Sequence, residues 1–201
     1  VWTAQVITLF PQCFPGILGE SLTGKALKDG KWSLETTDLR RFGEGRHKNV
    51  DDTPAGGGAG MVLRADILGA AIDDTRRTAP KDRPMVYLSP RGARFDQAMA
   101  RDWAGANGIT LLCGRFEGVD QRVIDEADMM EISIGDYILS GGEPAAMIVM
   151  DAVVRLLPGV MGKQEGHRDE SFDEHILRRT RMPFRPVEVG VRIGAASNEM
   201  G

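Results

Sequence analysis

Three short stretches carry residue types from which a site could be built. Tyr87-Leu88-Ser89-Pro90 ends one apolar run, and Gly114-Arg115-Phe116-Glu117-Gly118 follows a second. Ser133-Ile134-Gly135-Asp136-Tyr137-Ile138-Leu139-Ser140-Gly141-Gly142 joins a third to Glu143 and the long apolar segment beyond. Glycine serves where backbone must bend sharply or approach a ligand, and Gly141 is expected to need backbone angles that only glycine takes easily. A loop that is apolar in its middle is more than a solvated connector. These stretches suit non-covalent capture of a small molecule. Covalent or metal chemistry is not indicated, because no nucleophile or metal constellation occurs in them. The spacing of His47, His167 and His175 offers no zinc pattern. Cys113, in Leu111-Leu112-Cys113, reads as a small buried hydrophobe.

Other segments point toward phosphate. Arg40, Arg41, Arg46, His47 and Lys48 precede the run Gly56-Gly57-Gly58-Ala59-Gly60. That run is not a P-loop, since no Lys-Ser or Lys-Thr follows it, nor does it follow a strand as a dinucleotide fingerprint must. Close backbone approach to a ligand and a simple hinge both account for it. Between Arg178 and Val187 the chain carries four arginines and no acid, a hint of nucleic acid.

Three loops can converge only if the elements between them aim them the same way. Val6 to Phe10 reads as a strand, and a helix is expected through Ile17, Leu18, Leu22, Ala26 and Leu27 to Gly30. Trp32, Leu34 and Thr36 alternate as a half-exposed strand does. Ile67, Leu68, Ala71 and Ile72 mark a helix that ends before Pro80. Met85 to Leu88 is expected to be a strand broken by Ser89-Pro90, and Phe95, Ala98, Met99 and Trp103 a helical stripe closed by Asn107-Gly108. Ile109 to Cys113 and Met129 to Ile132 complete the strands. A short helix starts near Asp120, and a long one runs from Glu143 to about Leu157, stopped by Pro158-Gly159. Alternating strands and helices predict an α/β fold, a mostly parallel sheet with helices on both faces. The three loops then leave the carboxyl ends of strands, where such sheets bind ligands.

The 201 residues have room for one full core and a small appendage. With 42% hydrophobic and 27% charged residues, neither disorder nor a fibrous repeat is indicated. A net charge of −4 argues against binding a polyanion over the whole surface, though not against local contact. No apolar run reaches membrane-spanning length and no signal peptide is evident, so a cytoplasmic location is expected. Polar Lys163 to Glu170 marks a linker. The expected division is a cofactor-binding domain over 1–162, a linker over 163–175 and a shortened or divergent C-terminal segment over 176–201.

Taken together, these motifs resemble the bacterial tRNA (guanine-N(1)-)-methyltransferases, the TrmD family of the SPOUT class. The match covers Ile7 to Pro11, Asp52-Thr53-Pro54, Gly56 to Leu63, Tyr87 to Pro90, Leu112 to Asp120, Ser133 to Glu143, and Arg155 with Pro158-Gly159-Val160. The resemblance implies a deep trefoil knot, a homodimer, and S-adenosylmethionine held by Tyr87, Leu88, Ser89, Pro90, Gly114, Glu117, Ser133, Ile134, Gly135, Asp136, Tyr137, Ile138, Leu139, Gly141 and Gly142. It further implies methylation of the N1 of the guanine immediately 3′ of a tRNA anticodon. Arg155 would be the cation that stabilises the carbonyl oxygen. The proton acceptor would be a linker acid: motif position favours Glu170, and residue identity favours Asp169. Magnesium use is also implied, without a dedicated site in the sequence. The expected partners are tRNA and a second copy of the chain, with no membrane and no DNA. The alternative is a family member that binds cofactor and RNA but is impaired in catalysis by its altered C-terminal region.

Overall fold

The structure, a computed structural model, describes residues 1–54, 57 and 60–161. Asp169, Glu170, the Arg178 to Arg185 cluster and the expected linker boundaries lie outside the described residues. In chain order the elements are β1 (Trp2–Thr8), α1 (Ser21–Lys28), β2 (Trp32–Asp38), β3 (Asp51–Asp52), β4 (Val62–Leu63) and α2 (Ala65–Thr78). They continue with β5 (Met85–Arg94), α3 (Gln97–Gly105), β6 (Gly108–Cys113), α4 (Gln121–Glu126), β7 (Met130–Ser133) and α5 (Glu143–Val154).

Five strands form one sheet in the order β2-β1-β6-β5-β7. Every pairing within it is parallel. Strand alternation sends neighbouring residues to opposite faces, so each face acquires its own core. Val6, Val86, Leu88, Ile109, Leu111 and Cys113 pack with Ala26, Trp103, Val149, Met150 and Val153, from α1, α3 and α5. Ile7, Met85, Tyr87 and Leu112 pack with Ile67, Leu68, Ile72, Val123 and Ile124, from α2 and α4. Both faces of β6 are thereby covered, which is why its sequence is apolar apart from Thr110, whose buried hydroxyl donates to Gln5 Oε1 at 3.1 Å. Phe95, just ahead of α3, stacks on Trp103 with ring centroids 5.4 Å apart.

Two expectations are corrected here. The helix expected from Ile17 starts only at Ser21. Two 3-10 turns, Pro11–Cys13 and Gly16–Gly19, precede it, and Ser21 has φ of 53°, outside helical geometry. Ile17 is consequently 70% exposed, although Leu18 is buried. Nor does Ser89-Pro90 end a strand. Leu88 and Ala93 both pair with Ile132 of β7, so β5 throws out Ser89 to Gly92 as a bulge and then resumes pairing. Gly92 is where the backbones meet, since a Cβ there would lie 2.3 Å from the Glu131 carbonyl carbon.

Helix α5 is apolar because it is buried in its own protomer. Ala145, Ala146, Val149, Met150, Val153 and Val154 all face the core, and only Ile148, at 47%, is a large exposed hydrophobe on it. The composition of α5 is therefore explained without a second copy.

Candidate functional site

The C-terminal ends of β6 and β7 flank the bulge of β5, and the loops leaving those two strands enclose with that bulge a crevice of about 380 Å³. Its wall is drawn from Tyr87 to Arg91, Gly114 to Gly118, Ile132 to Gly135, Tyr137 to Gly142, and Ala145. Backbone hydrogen bonds fix the loops against one another. The Gly142 amide donates to the Gly114 carbonyl at 3.0 Å. In the third loop the Gly135 amide donates to Ser133 Oγ at 3.2 Å, and that hydroxyl donates to the Gly135 carbonyl at 3.0 Å.

Glycines are required where chains crowd. Gly135, with φ of 153°, accommodates the Tyr137 ring, which would stand 2.6 Å from a Cβ. A Cβ on Gly114 would lie 2.9 Å from the Tyr87 ring, so this ring, packed in the second core, supports the crevice floor. Burial pushes the Tyr87 phenol above its ordinary range, and nearby Glu131 adds to the effect, so it stays protonated at neutral pH. Phe116 takes φ of 59°, unusual for an aromatic residue, and is 50% exposed on the crevice wall.

The glycine-rich run reaches this site as a buttress. Gly60 has φ of 94°, and a Cβ there would sit 2.4 Å from Glu117 Cγ. The Glu117 amide donates to the Met61 carbonyl at 2.9 Å, and the Leu63 amide to the Gly118 carbonyl at 3.2 Å. Among the basic residues, Arg40 is partly committed inward: it donates to the Leu9 carbonyl and lies over the Phe10 ring.

Of the residues expected to hold a ligand, all but Asp136 line the crevice. Asp136 is exposed at the apex of a tight turn closed by the Tyr137 amide on the Gly135 carbonyl, at 2.9 Å. Sequence reasoning did not assign Arg91, Arg115, Phe116, Gly118, Ile132, Ser140 or Ala145 to the wall. For Arg115, Phe116 and Gly118 the available signal was membership of one short glycine-bounded loop. Arg155 is not part of this wall. It caps the far end of α5, about 18 Å along the helix axis from Glu143.

Cys113 is fully buried, and burial, followed by the Glu143 charge, holds its thiol well above the ordinary value. It is a core residue and no nucleophile. Among the described residues no three His, Cys, Asp or Glu side chains cluster as a metal site would need. Within the same residues, no helix is long and apolar enough to cross a membrane.

The sequence profile described as tRNA (Guanine-1)-methyltransferase TrmD matches residues 3–189. The chain belongs to the TrmD family. Relatives agree in name. A protein of Ruegeria pomeroyi called tRNA (guanine-N(1)-)-methyltransferase is 59% identical over 188 residues, covering 94% of this chain and 77% of the relative. One of the same name from Cereibacter sphaeroides is 63% identical over 179 residues, 88% of this chain and 72% of the relative. Another, from Rhodospirillum rubrum, is 60% identical over 174 residues, 87% and 72%. The glycine-bearing loops around the crevice thus belong to a TrmD family fold, and the α/β architecture is the one expected from the sequence.

Proposed function

We propose that this TrmD family member transfers the methyl group of S-adenosylmethionine to the N1 of the guanine immediately 3′ of the anticodon in tRNA. The observation that carries the proposal is the convergence of three family-matching loops on one crevice. The crevice suits the adenosyl group. Its volume lies within the range of small-molecule sites, and Leu88, Ile134, Ile138 and Leu139 supply apolar surface beside backbone amides and carbonyls that can read an adenine edge. S-adenosylmethionine, when bound, supplies an electrophilic methyl group on a sulfonium. The chain must do the rest. Guanine N1 carries a proton at neutral pH, so Asp169 or Glu170 accepts that proton as the N1–methyl bond forms and the electron pair of the old bond returns to sulfur. Arg155 stabilises the negative charge growing on the adjacent carbonyl oxygen. The magnesium implied by the family finds no cluster of three donors among the described residues, and no step here runs through it. The SPOUT knot is carried into this reading from family membership. A cytoplasmic location is part of the proposal, since tRNA is the proposed substrate.

The test is methyl transfer to unmodified tRNA and to the same tRNA with adenine at the target position. Transfer to the first and none to the second is expected. Equal labelling of both contradicts the assignment.

We further propose a homodimer in which Arg155 acts across the pair. Standing about a helix length from the crevice of its own chain, it serves the crevice of a second copy. Exposed Ile148 and Ile17 offer an apolar surface for the pairing, on α5 and on the 3-10 turn packed against it through Gly16 and Met147. Mixing two inactive variants checks this. Arg155→Ala keeps a sound crevice, and Gly142→Val keeps a sound arginine. Subunit exchange should restore up to roughly a quarter of wild-type activity, the share of sites that combine a sound crevice with the other chain's arginine. No recovery on mixing, with mixed dimers shown to form, means that Arg155 acts within its own chain.

A further inference from the structure

We propose that Glu143 is a positioning residue: through a buried ion pair it holds Arg115 as a clamp on the last turn of the crevice loop. The inference rests on the reading of the crevice as the cofactor site. Glu143 opens α5, where a carboxylate suits the helix dipole, yet it is only 2% exposed. A buried charge needs partners on each oxygen. Its Oε1 accepts from Thr8 Oγ1 at 2.7 Å. Its Oε2 faces Arg115 Nη2 at 2.7 Å, an ion pair without hydrogen-bond alignment. Thr8 is itself held, because its hydroxyl oxygen accepts from the Phe10 amide at 2.9 Å. That same Phe10 presents its ring to the Arg115 guanidinium, 4.4 Å from ring centroid to Cζ.

Arg115 is therefore committed on three sides. Glu143 balances its charge, Phe10 covers a face, and Nη1 donates to the Ser140 carbonyl at 3.0 Å. Its side chain also fills the place a Cβ on Gly141 would take, with Nε 2.3 Å away. An arginine on the wall of a tRNA-modifying site invites a role in gripping phosphate. This one is spent on protein instead. The loop needs such an anchor, since Tyr137, Ile138 and Leu139 are all exposed and Ile138 is 81% so. Gly142 to Gly114 is the other tie at this end of the loop.

The experiment compares amide hydrogen exchange of the full chain in wild type, Glu143→Gln, Arg115→Gln and the double variant. Glu143→Gln keeps an acceptor for Thr8 but leaves the Arg115 charge unmatched. Exchange of the amides from 137 to 142 should quicken by about tenfold or more while β6 stays protected, which separates a loosened loop from a damaged fold. The Km for S-adenosylmethionine should rise by a similar factor with kcat within about threefold of wild type, as expected when ground-state binding alone is lost. The double variant should be no looser than Arg115→Gln, because both act through one contact. Should Glu143→Gln fail to fold, Thr8→Val carries the test with the same direction and a smaller effect. Loop exchange within about twofold of wild type, or full additivity in the double variant, overturns the clamp. Exchange needs no ligand. A wild-type protein that bound no S-adenosylmethionine would therefore defeat the cofactor reading, and the clamp would still be decided by exchange.

Discussion

Replacing the true base among Asp169 and Glu170 by its amide is expected to slow single-turnover methyl transfer at least about a hundredfold, with affinity for S-adenosylmethionine unchanged. The expectation comes from the chemistry of the acceptor. Guanine N1 is poorly nucleophilic while protonated, so a carboxylate has to reach it when the base is in place. Asp169→Asn and Glu170→Gln must be measured separately, since the two side chains differ in reach by a methylene. Should both replacements leave the rate within about threefold, neither acid is the base. Glu117 would then be the carboxylate to examine, because it stands on the crevice wall.

Gly142→Val is expected to abolish measurable binding of S-adenosylmethionine in calorimetry, a loss of about a hundredfold or more, and Gly142→Ala to weaken it by about tenfold or more. The reason is space. Gly142 has φ of −78°, accessible to any residue, but a Cβ on it would lie 2.7 Å from Cys113 Cα and 3.0 Å from the Gly114 nitrogen. Those atoms are backbone at the end of β6 and have nowhere to go. Substitution would also strain the Gly142 to Gly114 hydrogen bond that closes the crevice. Gly141 is a different case and corrects the expectation set by sequence. It is not among the glycines with positive φ, and the three atoms nearest its Cβ all belong to the Arg115 side chain rather than to backbone. Gly141→Ala should therefore cost less than Gly142→Ala. The reverse order, with both variants folded by circular dichroism, would show that the loop is shaped by something other than the β6 backbone.

What the sequence disclosed and what it withheld have separate causes. The run Ile109 to Cys113 could be read as a strand covered on both faces because all its side chains but Thr110 are apolar, and the structure buries all five. Two of the loops were legible because glycines bound them and strands precede them, and the third stretch by its Ser89-Pro90. The length of β5 was not, since Pro90 looks like a strand breaker unless the strand bulges there. Ile17 and Leu18 mimic helical spacing with Leu22, but they belong to a 3-10 turn that an extended Glu20 and a left-handed Ser21 set apart from the body of α1. Local pattern also could not join Thr8 to Glu143, 135 residues apart in sequence. Arg155 sits near the site in motif order, yet a helix length from Glu143, as the expected helix from Glu143 to about Leu157 already implied.

The most direct measurement is to label unmodified tRNA with the full chain and radioactive S-adenosylmethionine, digest it to nucleosides, and locate the methyl group. The account predicts 1-methylguanosine from the position immediately 3′ of the anticodon, and label nowhere else. Label on a ribose, on another base or at another guanine would contradict it, as would tRNA that stays unlabelled while S-adenosylmethionine is bound.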